Sequence, residues 1–129
     1  MAHSDSPAQR LTLNDLDYHQ RTHAILAAVE KHLDRWLEED VVDIDSQRNG
    51  GLLELKLPGG SAIILNTQPP LQELWLACRA GGYHFACMAD AAHPQGQWRD
   101  TKTGALFTEV LAQALSDQAG MALTLDLPQ

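Results

Sequence analysis

The sequence predicts an α+β fold, a two-layer α-β sandwich in which two helices pack on one face of a five- to six-stranded antiparallel sheet. Apolar residues recur at helical spacing near each end of the chain, and the period changes to two between these segments. Short turns rich in Gly and Pro separate the predicted strands, which favours an antiparallel meander. Two helices outside such a meander can cover one of its faces.

The first helix is predicted to begin after Asn14 and to end near Glu39. Asn14 is a good N-cap, and Asp15 and Asp17 in the first turn interact favourably with the helix dipole. Residues three, four and seven positions apart define its buried face: Tyr18, Ile25, Val29, Leu33 and Trp36.

The middle of the chain alternates apolar and polar residues between turn signals such as Asn49-Gly50-Gly51 and Pro69-Pro70. Strands are expected at residues 42–45, 53–57, 61–66, 71–77, 83–87 and 98–100. Gly81-Gly82 is expected to form the turn before the strand at 83–87.

The second helix is expected to open at Thr103 or Gly104 and to end at Gly120, a natural C-cap. An extended tail over residues 121–127 follows it. The apolar stripe of this helix consists of Leu106, Phe107, Val110, Leu111 and Leu115.

The composition is that of a single domain, expected over residues 13–129, after a polar and flexible tail over residues 1–12. A chain of 129 residues with 44% apolar residues can bury one core. The net charge of −8 argues against nucleic acid as a partner, because phosphate binding requires a basic surface. Two cysteines are too few for a disulfide framework. With no long apolar stretch and no signal-peptide core, we expect a cytoplasmic protein without membrane contact.

The most unusual feature is an acidic run where the first helix ends and the first strand is expected. Five acids fall within eight residues, with no Lys or Arg among them: Glu38, Glu39, Asp40, Asp43 and Asp45. Like charges repel and strands disfavour Asp, so this run lowers local stability. Such a surface is expected to attract a positive partner, a cation or a basic protein.

A helical wheel extends the acids back along the flank of the first helix. Ligand-capable side chains form a stripe beside its buried face: His19, His23, Glu30, Asp34 and Glu38. Lys31 and Arg35 lie beyond this stripe. Loosely arranged oxygen ligands suit hard cations and Fe²⁺ or Fe³⁺ better than a dedicated zinc site, and His19 with His23 could hold a softer divalent ion. The alternative is an ordinary solvated helix face.

Catalytic motifs are absent from the sequence, which predicts that the protein is not an enzyme. There is no GxSxG, P-loop or GxGxxG, and the segment from His19 to His23 lacks the Glu of HExxH. A di-iron ferroxidase would use paired Glu-x-x-His motifs, but the third residue after Glu30 is Leu33.

A second candidate surface lies on the strand that contains Trp75. Leu74 and Leu76 share one face of this strand, so Trp75 faces solvent if the helices cover the Leu face. Beside Asn66 and Gln68 it would be a protein-docking anchor. The alternative is that Trp75 lies under a loop.

The segment ILNTQPPLQELWLA, from Ile64 to Ala77, resembles the central signature of the frataxin family. Gly81-Gly82-Tyr83-His84-Phe85 resembles its continuation in bacterial members. The resemblance covers about residues 13–127, and the other matching segments, in order, are Tyr18-His19, residues 49–53, Trp98, Gly104, Phe107 and residues 118–120.

The resemblance implies iron binding at an acidic ridge and regulation of iron–sulfur cluster assembly, through contacts with the cysteine desulfurase and the scaffold protein. The implied partner contacts are the ridge and the surface of Asn66, Gln68 and Trp75. His19 falls where bacterial members often carry His, and His23 where they often carry an acid. The implied ridge positions are Glu30, Asp34, Glu38, Glu39, Asp40, Asp43 and Asp45.

The leading hypothesis is therefore a bacterial frataxin that binds iron (Fe²⁺ or Fe³⁺) weakly, accepts other divalent cations, and regulates or supplies cluster synthesis. We expect a monomer that iron can drive to oligomerise. One alternative is an acidic protein-interaction module with incidental metal binding. Another is a ferroxidase or iron-storage protein.

Overall fold

The computed structural model describes residues 8–129 and confirms the two-layer α-β sandwich. The helices are α1 (Asp15–Glu38) and α2 (Phe107–Ala119). The antiparallel sheet has one strand more than expected, and its strands are β1 (Gln9–Arg10), β2 (Asp45–Asn49), β3 (Leu52–Lys56), β4 (Ala62–Gln68), β5 (Glu73–Cys78), β6 (Gly81–Ala89) and β7 (Gln97–Asp100).

The sheet follows a meander, with the order β1-β6-β5-β4-β3-β2 and with β7 paired to β6. The long β6 pairs with β5 over residues 81–86, with β7 over residues 85–88 and with β1 at residues 88 and 89. Strand β2 pairs only with β3 among the described strands, so it is an edge of the sheet, and it lies in contact with α1.

The additional strand β1 lies within the segment predicted as a flexible tail. Gln9 pairs with Ala89 and Arg10 with Met88 on β6. The rest of the tail prediction, for residues 1–7, lies outside the described residues.

The buried face of α1 is the predicted one, because Tyr18, Ile25, Val29, Leu33 and Trp36 are all buried. The Asn14 side chain caps the helix by accepting a hydrogen bond from the Asp17 N–H at 2.7 Å. These residues meet alternate side chains of the sheet, which are fully buried as the period of two predicts: Leu53, Leu55, Ile63, Leu65, Leu74, Leu76 and Phe85.

Helix α2 is tied to the sheet at its C-terminal end by Gln118. Its side chain accepts from the Arg79 N–H (2.9 Å) and donates to the Ser61 hydroxyl (2.8 Å). Gly120 follows in the left-handed conformation at φ +72° and ends the helix, as predicted.

The start of α2 lies later in the chain than the predicted Thr103 or Gly104. Gly104 has φ +78° and donates its N–H to the Asp100 carbonyl (2.9 Å), so this segment is a tight turn. Leu106 is still extended because it forms a β-bridge with Arg99.

The first predicted strand, over residues 42–45, is also corrected, because β2 begins only at Asp45. Asp45 pairs with Lys56, the last residue of β3, so residues 42–44 have no strand to pair with. Burial nevertheless alternates as expected: Ile44 is buried, and Asp43 and Asp45 are exposed.

Two further boundaries differ from the sequence prediction. Gly81 and Gly82 begin β6, and the turn before them is made by Arg79 and Ala80. Strand β5 begins at Glu73 because Pro69–Leu71 form a short 3₁₀ helix. Proline has no backbone N–H, and it is tolerated at the start of this helix because the first N–H groups of a helix have no partner within it.

Tyr18 joins α1 to the sheet through its hydroxyl group. The hydroxyl donates to the Glu73 carbonyl at 2.6 Å and accepts from the Gln68 N–H at 3.0 Å. Burial raises the pKa of Tyr18, so the hydroxyl stays protonated and can serve both partners. One side chain therefore connects the helix to the ends of two strands.

We predict that Tyr18→Phe lowers the free energy of unfolding by about 1–3 kcal/mol, because it leaves two buried backbone groups without a partner. Equilibrium urea denaturation measures this change. Tyr83→Phe is the matched control, since the Tyr83 hydroxyl has no hydrogen bond within residues 8–129, and it should cost under about 0.5 kcal/mol. Equal effects of the two substitutions would contradict this role of Tyr18.

Candidate functional site

The acidic ridge, defined as Glu38, Glu39, Asp40, Asp43 and Asp45, is fully on the surface. All five side chains are exposed. The chain leaves α1 through Asp40, which adopts a left-handed φ of +57°, and the Val41 N–H then donates to the Trp36 carbonyl at 2.8 Å. Asp tolerates this conformation better than most residues, so the turn can carry a carboxylate.

Buried apolar residues before and within the ridge direct its acids outward. Trp36 precedes the ridge and Ile44 lies within it, and both are buried in the common core. Between these two residues Val42 packs partly against the core, and the acids at positions 38, 39, 40 and 43 are exposed. The ridge is thus a consequence of how α1 and the start of β2 attach to the core.

The upstream flank, defined as His19, His23, Glu30 and Asp34, is less uniform than the helical wheel indicates. His19, His23 and Asp34 are exposed, whereas Glu30 is half-buried. The His19 ring also lies edge-on to the Tyr18 ring, with centroids 5.4 Å apart. Lys31 and Arg35 are exposed beyond the flank, as predicted.

Arg48 is a residue that the sequence analysis missed, and it lies within the upstream flank. From β2 its Nη1 donates to Glu30 Oε1 at 2.8 Å and its Nη2 approaches His23 Nδ1 at 2.7 Å. Register explains the position, because Arg48 is opposite the buried Leu53 and so faces the helices. Residues an even number of positions apart in a strand share a face, so Arg48, four residues after the buried Ile44, could have been predicted to face the helices.

The candidate ligands form an open surface. Within residues 8–129, no three His, Cys, Asp or Glu side chains are close enough together to hold one metal ion. Exposed carboxylates are suitable donors for a hard cation that keeps part of its water shell. The arrangement therefore fits weak, largely electrostatic cation binding.

The second candidate surface lies on the outer face of the sheet, away from the helices. Asn66, Trp75 and His84 are direct neighbours across β4, β5 and β6. The Trp75 ring is stacked on His84, with centroids 4.1 Å apart and planes 5° apart. Trp75 is therefore half-buried by a neighbouring ring, while Gln68 lies beside it, opposite Glu73.

Glu73 fixes the edge of the Trp75 ring, and the sequence analysis had not assigned it a role. Its Oε1 accepts from the indole Nε1 of Trp75 (2.9 Å), and its Oε2 accepts from Arg10 Nη1 (3.0 Å). Glu73 is only 9% exposed as a residue, so both bonds lie in a partly desolvated environment. Because Arg10 lies on β1, the N-terminal strand supports this surface.

Neither cysteine belongs to these two surfaces. Cys78 and Cys87 are free thiols, as predicted, and burial raises the pKa of Cys87 despite the nearby Arg21. Within residues 8–129, no helix combines the length and the apolar composition that a membrane span requires.

Comparison with known proteins identifies the family to which this chain and its fold belong. The model of the frataxin-like domain matches residues 11–121. The chain therefore belongs to the frataxin-like family, which confirms the resemblance found in the sequence.

The similar proteins include bacterial CyaY proteins and two solved frataxins, one of them from yeast. The iron-sulfur cluster assembly proteins CyaY of Burkholderia mallei and Burkholderia pseudomallei are each 42% identical over 111 residues, which covers 86% of this chain and 96% of theirs. A solved frataxin from Psychromonas ingrahamii, from work on stability within the CyaY protein family, superposes with a TM-score of 0.70 at 28% identity, covering 91% of this chain and 100% of that one. Yeast frataxin shares the fold, with a TM-score of 0.66 at 21% identity, covering 92% of this chain and 98% of that one.

We predict that Glu73→Ala destabilises the protein by about 1–3 kcal/mol and shifts the Trp75 indole N–H NMR resonance upfield, because both Trp75 and Arg10 lose their acceptor. Urea denaturation and an ¹⁵N-edited spectrum measure the two effects. Glu54→Ala is the control, since Glu54 is on the same face of the sheet and is only half-buried. An unmoved Trp75 resonance in Glu73→Ala would contradict the orienting role of Glu73.

Proposed function

We propose that the protein binds iron weakly at the acidic ridge and regulates iron–sulfur cluster assembly by docking on the cysteine desulfurase and its scaffold protein. The observation that carries the proposal is the exposed ridge, in a chain whose 42% identical relatives are named iron-sulfur cluster assembly proteins. On this proposal the protein acts by binding in the cytoplasm, as a monomer at low iron, and does not itself catalyse a reaction.

Charge supports a positively charged partner for the ridge. Residues 14–45 contain nine acids and three bases, a net charge of −6, whereas the whole chain carries −8. Most of the excess negative charge is therefore concentrated on one helix and the turn after it. A field of this kind attracts Fe²⁺ and also attracts the Lys and Arg side chains of a protein surface.

The open geometry supports reversible iron binding. A ridge of exposed carboxylates offers oxygen ligands without a fixed coordination number, so water must complete the coordination of the ion. Iron held in this way is easily released, which suits a carrier or a sensor of iron better than a store.

The outer face of the sheet supports a second contact with the assembly machinery. Trp75 is held flat by His84 and fixed at its edge by Glu73. An aromatic side chain that is already ordered loses little entropy on binding, which is typical of residues that dominate an interface. Asn66 and Gln68 would supply the polar contacts around it.

The acidic interaction module remains the second candidate, because no three-ligand cluster occurs within residues 8–129. In that case the ridge recognises only the basic protein surface, and metal binding is incidental. The two functions differ in whether iron changes the affinity for the desulfurase.

We predict that the double substitution Asp43→Lys with Asp45→Lys weakens binding to the desulfurase at least about tenfold, because it reverses two charges on the contact surface. It should also weaken Fe²⁺ binding measured under nitrogen. Isothermal titration, with and without Fe²⁺, measures both affinities, and desulfurase turnover gives the effect on activity.

The matched control for this experiment is Glu109→Lys with Asp117→Lys, which makes the same charge change on the exposed face of α2. It should change both affinities less than about twofold. Equal losses in the two double variants would show that only net charge matters and would contradict the ridge. A loss of desulfurase binding that is the same with and without Fe²⁺ would favour the interaction module.

A further inference from the structure

A cation that belongs to the protein itself, the guanidinium group of Arg48, lies against two side chains of the upstream flank. Its Nη1 donates to Glu30 Oε1 at 2.8 Å, its Nη2 lies 2.7 Å from His23 Nδ1, and its Nε donates to the Gly50 carbonyl at 3.2 Å. The three contacts use three different nitrogens. The hairpin turn therefore orients the planar group while the helix supplies its two acceptors.

The contact with Arg48 requires the Nδ1 atom of the His23 ring to act as a hydrogen-bond acceptor. Arginine has donors only, so His23 Nδ1 must be the acceptor and must carry a lone pair. A metal ion would use this same lone pair, since neutral imidazole is the ligating form. Arg48 and a metal ion therefore compete for the same electron pair on His23.

The contact with Glu30 is sheltered from water. The Arg48 side chain is 19% exposed and that of Glu30 is 33% exposed, so this ion pair is screened less than one on the open surface. Arg48 also faces the helix layer, because it is opposite the buried Leu53 in the β2–β3 ladder. The guanidinium is thus held by the fold and does not lie there as a free surface charge.

We propose that Arg48 is an internal competitor for cations on the upstream flank, so that a divalent metal ion reaches His23 Nδ1 and Glu30 only by displacing the guanidinium group. In the native protein His23 Nδ1 and Glu30 are then not available to a metal ion, whereas the exposed acidic ridge, from Glu38 to Asp45, is. This inference rests on the proposed function, in which carboxylates of this surface bind iron. It adds that two of the predicted ligands, His23 and Glu30, are occupied by Arg48 and therefore do not bind metal in the native protein.

The test compares Co²⁺ binding to the wild-type protein, Arg48→Gln and Arg35→Gln, followed by NMR at the His23 ring and at the ridge amides. Arg35→Gln is the matched control because it removes the same charge from an exposed position on α1. In Arg48→Gln the apparent Kd of Co²⁺ at His23 should fall roughly three- to tenfold, because the competing ion pair is gone. In Arg35→Gln it should fall less than about twofold.

Adding Glu30→Gln to Arg48→Gln should return the affinity at His23 to its wild-type value, because the ion is expected to bridge the two side chains. Arg48→Lys gives a second test that keeps the charge, since one ammonium group cannot span both acceptors as the guanidinium does. It should raise the affinity at His23 by less than Arg48→Gln does. Thermal denaturation checks that each variant is folded.

Three results would overturn the inference. These are equal gains in Arg48→Gln and Arg35→Gln, no gain in Arg48→Gln, or a gain that persists when Glu30 is also replaced. If Co²⁺ leaves the NMR signals of the ridge amides unchanged in the wild-type protein, that result would instead contradict the proposed function. The comparison at His23 would still decide the role of Arg48 in that case.

Discussion

The way in which α1 buries its apolar face against the sheet determines where the acidic ridge and its upstream flank lie. Tyr18 anchors the first turns of the helix by its two hydrogen bonds to the sheet, and Trp36 anchors the last turn in the core. With both ends held, rotation about the helix axis is fixed. The flank that remains then lies along the edge strand β2, and its polar side chains must face solvent or that edge.

This constraint explains why the acidic surface is an open ridge. Charges can be concentrated where the chain between two buried residues exposes most of its side chains, as between Trp36 and Ile44, where Val42 is the residue that packs partly against the core. The repulsion among these acids lowers the stability of the helix end, and a cation or a basic protein surface would relieve it. Farther upstream the edge strand is within reach, and Arg48 already neutralises part of the charge there.

Local periodicity was sufficient to predict both helices, the inward faces of the strands and the exposure of the acidic run, because each depends on residues that are near in sequence. Contacts between distant elements were not predicted. Arg48 reaches His23 only because the register of β2 turns it toward α1, and Glu73 is bonded by Arg10 only because β1 pairs with β6. The late start of α2 has the same origin, since the bridge from Arg99 keeps Leu106 extended.

The central claim, that the ridge holds iron by its field and not by a preformed pocket, is tested most directly by the salt dependence of Fe²⁺ affinity. Under nitrogen, the Kd is measured from the amide shifts of residues 38–45. Between about 20 mM and about 200 mM NaCl we expect the affinity to fall roughly tenfold, because exposed charges are screened over this range. An affinity that is unchanged by salt, or shifts confined to residues outside the ridge, would contradict the account.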